Sequence, residues 1–201
     1  MNLNWLNKKN NKDLIVFFNG WGMDDNVVKH LTPGNYDILT VCDYNSLEKL
    51  PDLSTYRDVR VIAWSMGVMI ATIFNIHCKS ATAINGTPYP IHSDFGINPK
   101  VYKLMELGFN DKSKDKFMAK MFDEVPENFC PPIRETENQK SELTALKNYK
   151  SNVDFNFTRI IVSNNDDIIP TTSQLNYWKN PEIISGGHCI FYKYTTWEEL
   201  L

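Results

Sequence analysis

The sequence predicts an α/β architecture with a mostly parallel central sheet and helices on both faces, and three observations carry that expectation. Apolar runs of strand length recur along the chain, several are apolar at every position, and segments of helical period lie between them. A strand covered on both faces shows no polar alternation, because both sides of its pleat meet a core. Strands and helices that alternate in sequence fold as right-handed crossovers into one sheet.

Taken in order, NLNWLNK (2–8) can add an antiparallel strand at the edge of the sheet. The strands proper are LIVFF (14–18), YDILTVC (36–42), VRVIAW (59–64), ATAIN (81–85), FTRIIVS (157–163) and PEIIS (181–185), and residues 24–31, 66–77 and 171–179 have helical period. From Ile97 to Lys150 the alternation stops. KVYKLMELGF, KDKFMAKMFDEV and ETENQKSELTALKNYK place apolar residues at helical spacing, and Pro126, Pro131 and Pro132 separate the last two. We read residues 97–150 as a helical insertion, or lid, over the end of the sheet. The 201 residues otherwise suit a single domain, since a chain of this length buries about 70% of its unfolded surface.

Hydrophobic residues make up 42% of the chain and charged ones 22%, as in a globular domain with a solvated surface. A formal charge of −3 gives no general basis for nucleic-acid binding. Cys42, Cys78, Cys130 and Cys189 include no C-x-x-C pair, and the histidines have no metal-ligand spacing to them, so reduced thiols and no metal are expected. The start of the chain is polar and no apolar run approaches the ~18 residues of a membrane span. A cytoplasmic monomer without membrane contact is the expectation.

RVIAWSMGVMIATIF (60–74) passes from a β-branched run to helical period within four residues, with Ser65 at the change. AWSMG (63–67) fits the strand–turn–helix elbow G-x-S-x-G with Ala63 in place of the first glycine. At such an elbow the backbone of the serine is strained and strand and helix pass closely, so the residues two before and two after it must be small. Ala63 and Gly67 meet that requirement. The Ser65 hydroxyl then projects from the carboxyl end of the sheet, and the Met66 N–H opens a helix whose free amides and dipole favour an oxyanion. A serine cap on an ordinary helix is the plainer reading of the same residues, and the position after the third parallel strand favours the elbow.

A serine hydroxyl at its free pKa is a poor nucleophile, so an imidazole and a group that orients it must lie downstream. SNNDDIIP (163–170) puts two carboxylates in a loop at the carboxyl end of a strand. Asp166 is favoured as the acid and Asp167 as a helix cap, with turn and capping roles for both as the alternative. GGHC (186–189) follows the last strand, and its glycines let His188 reach the centre of the sheet edge. His30 and His77 fall near helix ends and His92 in a loop. Cys189 is read as a buried thiol, because adjacent side chains diverge and cannot form a dyad with His188. The second oxyanion amide is expected in the loop after the first core strand, FFNGWGMD (17–24). There Trp21 N–H is the candidate donor and the indole a wall of the acyl pocket. Such a site needs neither metal nor cofactor.

With these residues in place the chain is similar to the α/β-hydrolase superfamily. It resembles more narrowly the small BioG-type pimeloyl-[acyl-carrier protein] methyl ester esterases of biotin synthesis. FFNGWGMD, VIAWSMGV, AINGTPYPI (83–91) followed by FGINP, and GGHCIF carry the resemblance, the third being the most distinctive. The resemblance implies hydrolysis of the methyl ester of a pimeloyl chain held on acyl carrier protein, releasing methanol. It puts the nucleophile at Ser65, the base at His188, the acid at Asp166 and the oxyanion amides at Trp21 and Met66. Between Asn98 and Met121, six lysines (Lys100, Lys103, Lys112, Lys114, Lys116, Lys120) stand against three acids (Glu106, Asp111, Asp115). Acyl carrier proteins present an acidic helix, so Lys112, Lys114 and Lys116, with Arg134, are expected to steer docking. The alternatives are a general carboxylesterase or acyl thioesterase of the same fold, or a binding module that kept the fold without activity.

Overall fold

A computed structural model describes residues 1–152 and 154–201. Among these described residues, seven strands form one sheet: β1 (Asn2–Asn7), β2 (Asp13–Phe18), β3 (Tyr36–Cys42), β4 (Asp58–Trp64), β5 (Ser80–Ile84), β6 (Arg159–Ser163) and β7 (Glu182–Ile184). Their order across the sheet is β1-β3-β2-β4-β5-β6-β7. β1 pairs antiparallel with β3, and the remaining neighbours are parallel. All the parallel strands therefore deliver their carboxyl ends to one edge, and the loops that follow them meet there.

The unbroken apolar runs reflect burial on both faces. Leu14, Val16 and Phe18 of β2 pack on one side with Val68, Ile70 and Ala71 of α1 (Met66–Phe74). Ile15 and Phe17 pack on the other with Val27, Leu31, Phe191 and Trp197. Each such side chain is worth about 1.5–3 kcal/mol of burial, so a slip by one residue would exchange two complete cores. The second face carries short turns of 3-10 helix at Asp25–Val27, Phe191–Lys193 and Glu198–Leu200. Residues 24–31, whose period suggests a helix, form only the first of these. Asp24 caps that turn, and Val28 and Leu31 each donate three residues back, to Asp25 O and Val28 O at 3.0 Å. The β-branched pair Val27 and Val28 is fully buried and stiff at χ1, which lowers the helix propensity of the segment.

Between β5 and β6 lie α2 (Pro99–Gly108), α3 (Asp111–Lys120) and α4 (Thr136–Leu146). Asn98 caps α2, whose first residue is Pro99, and Asn110 caps α3 in a reciprocal box with Ser113. Tyr102 of α2 donates its hydroxyl to Leu143 O of α4 at 2.8 Å, which ties the two helices together. α5 (Thr171–Tyr177) follows β6.

Candidate active site

The loops after β4, β6 and β7 bring Ser65, Asp166 and His188 together. Ser65 sits between the end of β4 and the start of α1 with φ 58° and ψ −125°, a conformation that side-chain-bearing residues rarely adopt. Its N–H donates to Ile84 O on the neighbouring strand at 3.0 Å, which holds the strained turn in place. Gly67 makes the turn possible: a Cβ there would lie 2.3 Å from Phe18 O. The hydroxyl this turn projects lies 2.8 Å from His188 Nε2.

His188 Nδ1 in turn lies 2.8 Å from Asp166 Oδ2. With its proton on Nδ1, the imidazole donates to the carboxylate and accepts from the serine hydroxyl. Asp166 does more than face the imidazole. Its Oδ1 accepts the N–H groups of Ile168 and Ile169 at 2.9 and 3.1 Å, and its Oδ2 also accepts from Gln174 Nε2 at 2.8 Å. Turn residue and imidazole partner are thus one carboxylate. Asp167 is exposed and does not cap α5, which begins after Pro170 without a side-chain cap. Gly187 is required by a close approach: a Cβ there would lie 2.8 Å from Met121 O, which accepts the Cys189 N–H at 2.9 Å.

Three buried residues that sequence reasoning passed over complete this arrangement. Trp64 Nε1 donates to His188 O at 3.0 Å. Asn85, at φ 45°, donates to His188 O at 2.8 Å and to Ser163 Oγ at 2.7 Å, while its Oδ1 accepts the Ser163 N–H at 2.7 Å. It therefore joins the ends of β5 and β6 to the histidine loop. Asn85 lies in AINGTPYPI, a stretch distinctive enough to have drawn notice. Gln174 leaves no local signal, because its partner Asp166 is known only from the fold.

Trp21 follows β2 in a turn closed by Met23 N–H to Gly20 O at 3.3 Å. Its indole packs edge-on against Phe109 and Phe117, each with a centroid distance of 4.9 Å. The Trp21 and Met66 amides have no hydrogen-bond partner among the described residues. Both residues line a small cavity at Ser65 and His188 that is closed over by Met105, Phe117 and Ile168 and has room for about one water molecule. Burial pushes the Cys189 thiol up to about 12, as an inert interior cysteine requires. Among the described residues no group of three or more His, Cys, Asp or Glu side chains converges as a metal site would need.

Lys112 and Lys116 are exposed on the outer face of α3, whose inner face supplies Phe117 to the cavity. Lys114 is half-buried and donates to Arg134 O at 2.6 Å. Arg134 corrects an expectation. Its guanidinium is interior, paired with Glu142 at 2.7 Å and Asp43 at 3.1 Å, so it cannot meet a docking partner.

A mostly parallel sheet with a strained serine at a strand–helix elbow, and a histidine and an aspartate from later loops at the same edge, defines the α/β-hydrolase fold. A thermophilic esterase from Thermogutta terrifontis shares that fold at 12% identity, with a TM-score of 0.63 over 93% of this chain and 86% of the other. The crystal structure of BioG from Haemophilus influenzae matches far better. It is 32% identical, with a TM-score of 0.91 over 100% of this chain and 99% of that one. A malonyl-[acyl-carrier protein] O-methyltransferase of Bacteroides fragilis is 34% identical over 182 residues, 84% of this chain but only 37% of that protein's length. The family profile described as "Pimeloyl-ACP methyl esterase BioG" matches residues 1–200. The chain belongs to the BioG family.

Proposed function

We propose that this chain is a serine carboxylesterase of biotin synthesis that hydrolyses pimeloyl-[acyl-carrier protein] methyl ester to pimeloyl-[acyl-carrier protein] and methanol. The observation that carries the reading is the continuous line of contacts from Ser65 through His188 to Asp166, 2.8 Å at each step, opening onto an apolar cavity. Ser65 Oγ attacks the ester carbonyl carbon as His188 Nε2 takes its proton, and the Trp21 and Met66 amides receive the oxyanion. The C–O bond to the methoxy group breaks, and His188 returns the proton so that methanol leaves. Water then attacks the acyl-enzyme by the same route and frees the acid. The Asp166 carboxylate, in contact with Nδ1, steadies the imidazolium.

Trp21, Met105, Phe117 and Ile168 suit a polymethylene chain and a neutral ester. A pimeloyl chain needs more room than one water molecule, so substrate entry displaces Met105 and Phe117, and the α2–α3 segment acts as a lid. Lys112 and Lys116 on its outer face supply the cationic surface for the carrier.

The test offers methyl pimeloyl carrier protein and dimethyl pimelate side by side and follows both methanol and free phosphopantetheine thiol. Methanol release with a large preference for the carrier substrate supports the reading. Equal kcat/KM for the two substrates points to a general carboxylesterase, and thiol release to a thioesterase.

A further inference from the structure

Glu142 is fully buried, and none of the steps above uses it. It stands on α4, 120 residues along the chain from Gly22, yet its Oε2 accepts the Gly22 N–H at 3.1 Å. The same oxygen accepts from Arg134 Nη1 at 2.7 Å, and Oε1 accepts the Tyr44 N–H at 2.8 Å. One turn earlier, Gln139 grips the loop a second time. Its Nε2 donates to Gly22 O at 2.7 Å, and its own carbonyl accepts the Trp21 indole N–H at 2.7 Å. Arg134 Nη1 also reaches Met23 O at 3.3 Å.

We propose that Glu142, with Gln139, is a positioning residue that aims the Trp21 amide at the oxyanion. This inference rests on the esterase reading above. The Gly20–Trp21 peptide is held by the turn bond from Met23, the Trp21–Gly22 peptide by Glu142, and the Gly22–Met23 peptide by Gln139. The backbone on both sides of the amide is fixed while the amide itself stays free. An interior carboxylate paired with an interior guanidinium is a costly way to tie two loops, and neutral packing would serve stability as well. A donor aimed in advance is what such a pair adds, because misplacement by about 1 Å lowers the rate by about 10²-fold. The helical cover is thus part of the oxyanion site.

Glu142→Gln keeps the side-chain shape but leaves one carbonyl oxygen where two carboxylate oxygens served. For the folded variant, kcat should fall roughly 10- to 100-fold on a small ester and on the carrier-bound ester alike, with KM within about threefold of the parent. The affinity of a trifluoromethyl ketone, which forms a tetrahedral adduct with the serine, should fall by the same factor as kcat/KM. A merely structural role would not produce that parallel. A folded variant with unchanged kcat and ketone affinity overturns the proposal, as does a fall in kcat with ketone affinity intact. If Glu142→Gln does not fold, Gln139→Met, which drops only the bond to Gly22 O, carries the test with the same readouts and the same overturning results. Fluorophosphonate labelling of the parent keeps the two readings apart. An unlabelled Ser65 sinks the esterase reading together with this one, whereas a labelled parent with unaffected variants sinks the positioning role alone.

Discussion

Trp64 and His188 are joined directly: the indole N–H of the residue before the serine donates to the carbonyl of the histidine at 3.0 Å, and the two rings lie 5.3 Å apart. The strand that leads into Ser65 therefore sets the height of the imidazole. Asn85, just past the end of β5, donates to the same carbonyl. Placement of His188 relative to Ser65 is in this way shared between β4 and β5.

The two neighbouring aspartates should behave differently. Asp166 is buried and its Oδ2 meets His188, whereas Asp167 is exposed in the turn. Asp166→Asn should lower kcat by roughly 10³ to 10⁴, because the amide favours the wrong imidazole tautomer. Asp167→Asn should stay within about twofold, as surface substitutions usually do. Steady-state kinetics of the two variants on one ester decides the matter, and the reverse pattern would move the acid to Asp167.

Replacing Asn85 should harm stability and turnover together. Asn85→Ala leaves the buried Ser163 N–H without its acceptor and takes one of two donors from His188 O, a cost of about 1–3 kcal/mol. Asn85→Gly should be the milder change despite losing the same bonds, since the backbone there has φ 45°. Chemical denaturation gives the order of stability, and an alanine variant as stable as the parent would remove Asn85 from this role.

Thiol reagents should leave the esterase activity intact. Burial pushes Cys189, adjacent to His188, and Cys42 each up to about 12, so both remain thiols rather than reactive thiolates at pH 8. Cys78 and Cys130 are half-buried and should take up iodoacetamide first. Mass spectrometry locates the alkylated residues. Rapid modification of Cys189 in the folded protein with parallel loss of activity would reopen the identity of the nucleophile.

Salt should discriminate between substrates. If Lys112 and Lys116 attract an acidic carrier, kcat/KM for the carrier-bound ester falls steeply from low to physiological ionic strength, while a small neutral ester serves as the flat reference. Lys112→Glu/Lys116→Glu should erase that salt dependence. Lys114 is best left in place, because its bond to Arg134 O leads into the Arg134–Glu142 pair. A double variant with the parent's salt profile would put the carrier elsewhere.

Much of the fold is legible in the sequence because its causes are local. Each of the six apolar runs became a strand displaced by no more than two residues at either end, since burial on both faces leaves an unbroken hydrophobic run. The elbow at Ser65 is legible for a similar reason: a turn this tight excludes a Cβ at position 67, and that demand is written in the residue type. The helical period of 24–31 misled because apolar spacing alone does not distinguish an α-helix from successive tight turns that bury the same residues.

Only the tertiary structure decided which residues meet. Ser65 and His188 lie 123 residues apart and Gly22 and Glu142 lie 120 apart, and no periodicity records a contact at that range. Arg134 reads as a surface cation until the fold buries it against Glu142 and Asp43. Asn85 reads as the last residue of a strand and Gln174 as a polar residue of a helix until the sheet edge gives them partners. Hydrophobic pattern and turn chemistry act through neighbours in sequence. The partners of a buried polar group are chosen by which strand ends share an edge, and that follows from the order of the sheet rather than from any stretch of the chain.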